Sequence, residues 1–229
     1  MKKHNVNYRS LFNQCIACLK TTDNSSGFCE PCRKDLPWLK HHCSICALPL
    51  AAQYDHLICG KCLKSKPSFT KVQAPFLYMF PINHFIGKIK YNKKPQYIGP
   101  LASLLINSST IPSTVDLIIP IPMHRSNLQK RGFNQAELLA KEMSNYLGIE
   151  IDTHSLKKTK KTIPQMELDR DQRLKNQRGV FICDDLKHKH ILLVDDVMTT
   201  GATMEAATRV LLKAGATSVH VIVIARTPN

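Results

Sequence analysis

Residues Ile191-Leu-Leu-Val-Asp-Asp-Val-Met-Thr-Thr-Gly-Ala-Thr-Met204 decide the fold of this chain. A run of four apolar residues ends there in two adjacent carboxylates, Asp195 and Asp196, and a short loop rich in hydroxyls follows. Apolar residues then recur at helical spacing from Met204 onward, and Gly215 is placed to end that helix. The stretch therefore predicts a strand, a loop and a helix in that order.

The loop of this unit has the chemistry of an anion site. Backbone N–H groups at the N-terminus of a helix attract negative charge. Thr199, Thr200 and Thr203 add hydroxyl donors, and Gly201 lets the backbone approach a ligand closely. Together these groups can hold a phosphate monoester.

The two carboxylates indicate that a phosphate is only part of the ligand, because Asp195 and Asp196 would repel a bare phosphate. Carboxylates accept hydrogen bonds from ribose hydroxyls, and they also bind Mg²⁺, which commonly bridges them to phosphates. A ribose 5-phosphate that carries a metal-bound pyrophosphate satisfies both requirements. The chain contains neither the Gly-x-x-x-x-Gly-Lys-Ser/Thr nor the Gly-x-Gly-x-x-Gly phosphate motif.

This segment resembles the phosphoribosyl-pyrophosphate (PRPP) loop of type I phosphoribosyltransferases. The alternative is an ordinary strand-to-helix turn, but such a turn does not explain two acids, three threonines and a glycine within nine residues. The resemblance implies that PRPP binds with Mg²⁺ at one continuous run: Asp195, Asp196, Val197, Met198, Thr199, Thr200, Gly201, Ala202 and Thr203.

Eight of the nine cysteines lie between residues 15 and 62 in four Cys-x-x-Cys pairs, separated by ten, ten and twelve residues. The pairs are Cys15/Cys18, Cys29/Cys32, Cys43/Cys46 and Cys59/Cys62. Two such pairs complete a tetrahedral structural zinc site, so the spacing predicts two zinc ions in a double zinc ribbon. The spacing is consistent with either sequential or cross-braced pairing of the four Cys-x-x-Cys turns. Disulfides, redox pairs and an iron–sulfur cluster are less consistent with four repeated pairs and no secretory leader. Cys183 is expected to be a buried strand thiol.

The cysteines stop at a change in composition after Lys66-Pro67, which predicts two domains, residues 1–66 and 67–229. We expect a strand over 72–81, helices over 82–107 interrupted at Pro95, and a linker over 108–113. The resemblance to type I phosphoribosyltransferases implies that residues 72–110 form the hood through which those enzymes select their acceptor. Because the core of the second domain lies after residue 67, loss of a zinc site is expected to leave that domain folded.

A second strand–loop–helix unit is predicted from Asp116 to Leu147. A buried strand ends at Pro122, a cationic loop follows over 123–135, and a helix runs from about Asn134 to Leu147. The carboxyl ends of parallel strands meet at one edge of a sheet, so this loop should face the hydroxyl-rich one. We predict that His124, Arg125 and Arg131 bind the pyrophosphate, although His124 is equally consistent with a solvated loop residue.

Taken together, these motifs resemble the ComF family of competence-associated proteins. The match rests on Pro120-Ile-Pro-Met-His124, Arg131-Gly-Phe-Asn-Gln135, the PRPP loop and the four preceding Cys-x-x-Cys pairs. The resemblance implies an α/β fold: a type I phosphoribosyltransferase-like parallel sheet flanked by helices, with an N-terminal double zinc ribbon. It also implies a role in natural DNA uptake, with DNA-uptake proteins as partners.

The net charge is +15, spread over both halves of the chain, which favours polyanionic partners such as PRPP or single-stranded DNA. Residues 156–178 carry eight Lys or Arg against three acids and predict a long basic loop. That loop is either a lid over the active site or a weak nucleic-acid contact through Lys157, Lys158, Lys160 and Lys161.

The first ten residues are polar and lack the apolar region of a signal peptide, and no apolar run is long enough to span a membrane. A cytoplasmic protein is therefore expected. Three hypotheses remain open: an active phosphoribosyltransferase with an unidentified acceptor, a PRPP-binding regulator without turnover, and a single-stranded DNA-binding protein. The sequence leaves the oligomeric state open.

Overall fold

The computed structural model of the chain describes residues 14–22, 26–54, 57–159, 179–187 and 189–228. The described strands are β1 (Lys71–Gln73), β2 (Phe76–Leu77), β3 (Leu117–Pro120), β4 (Glu150–Ile151), β5 (Leu156–Lys158), β6 (Phe181–Cys183), β7 (His190–Met198) and β8 (Ser218–Arg226). The described helices are α1 (Glu30–Lys34), α2 (Gly60–Lys64), α3 (Ile82–Asn92), α4 (Ile98–Asn107), α5 (Arg125–Arg131), α6 (Gln135–Leu147) and α7 (Ala202–Lys213).

The centre of the molecule is a six-stranded parallel sheet with the strand order β1-β8-β7-β3-β4, in which β2 also pairs with β8. The two long strands, β7 and β8, carry nearly continuous apolar runs and are buried along most of their length. Such runs are typical of parallel strands covered on both faces. The predicted α/β sheet flanked by helices is therefore confirmed.

Helices cover the two faces of the sheet. On one face, Leu192 and Ile222 belong to a buried cluster with residues of α3, α4 and α6. On the other face, Leu193 and Val221 pack in a second cluster with α7. Because successive strand residues point to opposite faces, the two clusters use alternate residues of β7 and β8.

The cysteine-rich region contributes to both of these cores. Phe28 and Leu36 pack in the cluster with α3 and α4. Cys43, Cys46, Cys59 and Cys62 belong to the cluster with α7. The division at residue 66 stays a prediction, but the segments on its two sides share buried surface.

Backbone hydrogen bonds also join the cysteine-rich region to the edge of the sheet. Leu39 N donates to Pro75 O, and Leu77 N donates to Pro37 O, both at 2.8 Å. Val72 N on β1 donates to Ile45 O at 2.7 Å. These bonds cover an edge that would otherwise expose unpaired peptide groups.

Several local expectations differ from the structure. The strand expected over 72–81 is two short strands, β1 and β2, and the thiol of Cys183, expected to be buried, is half-buried on β6. The segment 123–135, expected to be a loop, contains the short helix α5, which begins after His124 and ends at Gly132. Lys157 and Lys158, expected in a long loop, lie on β5, which pairs antiparallel with β6. Residues 160–178 of that predicted loop lie outside the described residues. Among the described helices, none is long and apolar enough to cross a membrane.

Candidate functional site

The eight predicted zinc ligands form two clusters in which the four sulfur atoms lie within 4.8 Å of one another. One cluster is Cys15, Cys18, Cys29 and Cys32, and the other is Cys43, Cys46, Cys59 and Cys62. The sulfur atoms of Cys18 and Cys29 are 3.7 Å apart, as are those of Cys46 and Cys59. Zinc–sulfur bonds of about 2.3 Å in a tetrahedron place the sulfurs roughly 3.8 Å apart, so both clusters fit Zn²⁺. The pairing is sequential, not cross-braced.

The two clusters share one local design. The residue after the first Cys-x-x-Cys turn, Leu19 or Ala47, has a positive φ, 64° and 53° respectively. The second turn of each cluster begins a short helix, α1 after Cys29 and α2 after Cys59. Non-glycine residues rarely adopt positive φ, so its recurrence at equivalent places indicates a shared turn that points both thiols at one centre. Four thiolates complete a structural zinc site and leave no open position for a reactant.

The acid pair lies where β7 reaches the carboxyl edge of the sheet, beside the end of β3. Ile121 N donates to Val194 O at 2.8 Å, which brings the two strand ends together. Asp196 is only 5% exposed, and Asp195 is half-buried. The backbone N–H of Asp196 donates to Asp195 Oδ1 at 2.8 Å. Two adjacent carboxylates therefore share a poorly hydrated position at this edge.

A lysine from the predicted hood neutralises part of this acid pair. Lys90 Nζ on α3 lies 2.7 Å from Asp196 Oδ2, and the two side chains are 19% and 7% exposed. Burial lowers the pKa of Lys90, but the carboxylates of Asp196 and Asp195 outweigh burial and raise it above its usual value. The ammonium is therefore held charged at the edge of the acid pair.

Asp195 is the member of the pair that is harder to ionise. Its burial and the neighbouring Asp196 carboxylate raise the pKa of Asp195 to about 8, although Lys90 acts in the opposite direction. A carboxyl group whose pKa is higher in the folded than in the unfolded chain costs stability as the pH rises from its usual value through the folded pKa. Ionisation of Asp195 should therefore lower the free energy of unfolding at neutral and alkaline pH.

Asp195→Asn is expected to raise the free energy of unfolding at pH 8 and to change it little at pH 4. The asparagine carbonyl still accepts the Asp196 N–H, but the side chain cannot ionise. Urea unfolding of both proteins between pH 4 and pH 8 measures the difference. An equal effect at both ends of this range would show that ionisation of Asp195 is not its cause.

The predicted anion loop joins the acid pair to α7. Gly201 has φ 82°, and a Cβ atom there would lie 2.6 Å from Met198 Cε. Ala202 N donates to Thr200 Oγ1 at 3.4 Å, and Thr203 lies half-buried in the first turn of α7. The positive end of this twelve-residue helix therefore faces the loop.

A small cleft opens over the loop between Asp195 and Met204. Its enclosed part measures about 30 Å³, which is room for one or two water molecules. This volume is too small to enclose a sugar phosphate.

The second predicted loop starts at the same edge of the sheet. His124 caps α5, where Ser126 N donates to His124 Nδ1 at 3.3 Å. Arg125 is exposed, and Arg131 is half-buried and donates to Gln135 Oε1. The buried Asn134 donates to Ile121 O at 3.0 Å, which fixes the loop against β3.

The two described lysines of the predicted nucleic-acid contact differ in their surroundings. Lys157 is exposed and forms an ion pair with Asp184 at 2.8 Å. Lys158 lies with its Nζ 5.7 Å from the centre of the Phe181 ring. Burial lowers the pKa of Lys158, and the carboxylate of Asp195 opposes that shift. Lys160 and Lys161 lie outside the described residues.

Two cations of this region, the partly buried Lys90 and the buried Arg226, were not among the residues predicted from the sequence. Lys90 lies on α3 one turn after the buried Ile86 and next to the buried Ile89. A charged side chain on this apolar side of the helix needs a partner of opposite charge. Arg226 ends the apolar run of β8 and is only 2% exposed. In both cases a charged residue within an apolar pattern could have indicated a functional position. The partner of each charge lies far away along the chain, so the sequence does not identify it.

Two family models match the chain. A double zinc ribbon domain matches residues 10–63, and a phosphoribosyl transferase domain matches residues 128–229. A purine phosphoribosyltransferase from Pyrococcus horikoshii Ot3 has a TM-score of 0.34 with 23% identity, and the match covers 56% of this chain and 69% of that chain.

Three relatives align over most of the chain. Competence protein F of Haemophilus influenzae is 31% identical over 95% of this chain and 99% of its own length. The DNA utilization protein YhgH of Shigella flexneri is 30% identical over 88% and 91%. Competence protein ComFC of Bacillus subtilis is 27% identical over 82% and 78%. The two family models span both cysteine clusters and the acid pair.

Proposed function

Because the chain belongs to the ComF family, with its double zinc ribbon and phosphoribosyltransferase domain, we propose that it binds PRPP with Mg²⁺ and acts in DNA uptake. The observation that carries the proposal is the acid pair directly followed by an anion loop at the edge of a parallel sheet. A phosphate site alone would gain nothing from two carboxylates. A ligand with both hydroxyls and phosphates can bind the acid pair through its hydroxyls and the anion loop through a phosphate.

In this proposal, different parts of the site bind different parts of the ligand. Thr199–Thr203 and the N-terminus of α7 bind the 5-phosphate through backbone N–H groups and hydroxyls. Asp195 and Asp196 accept hydrogen bonds from the ribose hydroxyls. His124, Arg125 and Arg131 bind the pyrophosphate from the β3 side.

The donor set also fits Mg²⁺, which prefers carboxylate and phosphate oxygens. Lys90 already lies 2.7 Å from Asp196 Oδ2, so Asp195 offers the less neutralised carboxylate. Asp195 would hold the metal together with oxygens of the ligand, and the metal would screen the charge of the pyrophosphate. Binding of the metal would also relieve the cost of ionising Asp195.

Thr203→Val tests the loop with little change in shape. We expect PRPP affinity to fall by about 1.5–3 kcal/mol, the usual value of a hydrogen bond to a charged group, or roughly ten- to hundredfold in Kd. Thr208→Val is the matched control, because Thr208 lies on the same helix but is fully buried. Calorimetric titration of both variants gives the comparison. If Thr203→Val binds PRPP like the wild type, the loop is a structural turn.

Single-stranded DNA binding is a second candidate function. It is supported by the net charge of +15 and by Tyr91, which is 78% exposed at the end of α3 and is followed by the exposed Lys93 and Lys94. Exposed aromatic rings stack on bases, and neighbouring lysines bind phosphates. These residues follow Lys90 in the sequence, and Lys90 itself contacts Asp196.

Binding of single-stranded DNA should tolerate changes of sequence and fall steeply with salt. Each phosphate neutralised in a single strand adds about −0.7 to the log–log salt slope. Replacing Lys93 and Lys94 with glutamine should flatten the slope by up to about 1.4, whereas Lys141→Gln, in an ion pair with Glu137, should leave it unchanged. Fluorescence anisotropy at several salt concentrations measures this. Absence of DNA binding at low salt would remove the second candidate.

A further inference from the structure

The carbonyl groups of the anion loop are held by two cations from outside the loop. The guanidinium of Arg226, at the end of β8, donates from Nη1 to Met198 O at 3.2 Å and to Thr199 O. Lys61 donates from Nζ to Thr200 O at 2.8 Å. Three successive loop carbonyls are therefore bound on one side.

This arrangement sets the direction of the loop N–H groups. The C=O and N–H of a trans peptide point in opposite directions within one plane. Because the carbonyls of residues 198, 199 and 200 are held by cations, the N–H groups of residues 199, 200 and 201 point to the other side. That is the orientation in which successive peptide groups form a concave anion site.

Both cations are connected to the second cysteine cluster, which consists of Cys43, Cys46, Cys59 and Cys62. Lys61 lies between Cys59 and Cys62 on α2. Arg226 Nε donates to Cys46 O at 3.3 Å, so a single guanidinium contacts both the cluster and the loop. The position of these donors is therefore fixed by the turns that hold zinc.

A third connection joins the same region to α7. Ser68, shortly after Cys62, donates from its backbone N and its Oγ to the carboxylate of Glu205 at 2.8 and 2.7 Å. Glu205 lies in the first turn of α7, just after the loop. The first cluster packs instead with residues of α3 and α4 on the opposite face of the sheet.

We propose that Lys61 and Arg226 are positioning residues through which zinc in the second cluster orders the PRPP loop, so that zinc and PRPP stabilise each other's binding. The inference rests on the proposed function, since it takes PRPP as the ligand of the loop. Coupling between two sites is reciprocal. PRPP must therefore raise the zinc affinity of the second cluster by the same factor by which zinc in that cluster raises the affinity for PRPP. The first cluster is an internal control.

Pulsed alkylation of the full-length, zinc-loaded protein tests this coupling. A zinc-selective chelator that leaves Mg²⁺ in solution removes the metal, and mass spectrometry follows alkylation of each cysteine with and without PRPP and Mg²⁺. We expect saturating PRPP to slow alkylation of the second cluster at least fivefold and to leave the first cluster unchanged. Equal slowing of both clusters would indicate general stabilisation and overturn the inference.

Lys61→Met separates positioning from folding, because Lys61 is exposed. We expect PRPP affinity to fall about three- to tenfold and the protection of the second cluster to fall with it, while both zinc ions are retained. Lys61→Arg should restore part of both effects. Lys64→Met is the matched control, an exposed lysine on the same helix, and should change neither.

The outcomes distinguish this inference from the proposed function. If calorimetry detects PRPP binding but neither cluster is protected, the coupling is absent and the proposed function stands. If PRPP does not bind to the wild type, the proposed function itself fails, and the inference fails with it. Unchanged PRPP affinity and unchanged protection in Lys61→Met would exclude Lys61 as a positioning residue.

Discussion

Cys43→Ser is expected to remove one of two zinc ions and to destabilise the sheet as well as the cysteine-rich region. Cys43 is fully buried in the cluster that also contains Val72, Val221 and Leu211. A structural zinc site contributes on the order of 10 kcal/mol, which is comparable to the whole stability of a typical domain. Its loss should therefore reach β1 and β8 through the shared core.

Metal analysis and hydrogen exchange measure the two parts of this prediction. The wild type should contain two zinc ions per chain, and Cys43→Ser should contain one and lose amide protection in β1 and β8. Cys183→Ser is the matched control, because Cys183 is a half-buried thiol outside both clusters. Full protection of the sheet in Cys43→Ser would mean that the cysteine-rich region folds independently.

Lys90→Met is expected to lower the free energy of unfolding by about 3–5 kcal/mol, the usual cost of breaking a buried ion pair by removing one partner. The change leaves Asp196 buried beside Asp195 without the 2.7 Å contact to Lys90. Protonation of the carboxylates relieves this repulsion, so the loss should be larger at pH 8 than at pH 5. Chemical unfolding at both pH values gives the measurement.

Two further variants isolate the ion pair. Lys90→Met combined with Asp196→Asn removes both charges and should recover much of the lost stability. Lys141→Met breaks the exposed pair with Glu137, also at a short 2.6 Å, and should cost no more than about 0.5 kcal/mol. A loss in Lys90→Met as small as that in Lys141→Met would show that the pair contributes no more than a surface pair.

The ion pair also changes how Asp196 can be used as a probe. Asp196→Asn removes a carboxylate that is proposed to contact the ribose. The structure pairs Asp196 with Lys90, so that substitution leaves a buried ammonium without its main partner. Thr203→Val is the cleaner probe of ligand binding.

Local patterns were sufficient to predict most of the fold. The apolar run before Asp195 predicted β7, the helix expected from about Asn134 to Leu147 is α6, and Pro95 separates α3 from α4 as expected. Cysteine spacing predicted two four-cysteine clusters. These features depend on residues close together along the chain, which is why the sequence alone determines them.

Long-range contacts could not be predicted in the same way. Nothing near Lys61 indicates that its ammonium meets Thr200 O, which lies 139 positions away. The packing of the second cysteine cluster against the sheet also depends on the fold as a whole. The composition change at residue 66 records where the cysteines stop, and it carries no information about which surfaces are buried together.

The central claim is that the acid pair and the following loop bind PRPP, and calorimetric titration of the zinc-loaded full-length protein tests it most directly. We predict saturable binding of one PRPP per chain that is tighter with Mg²⁺ than without it. Thr203→Val should weaken this binding and Thr208→Val should not. No binding to the wild type at millimolar PRPP with Mg²⁺, or equal affinity in wild type and Thr203→Val, would contradict the claim.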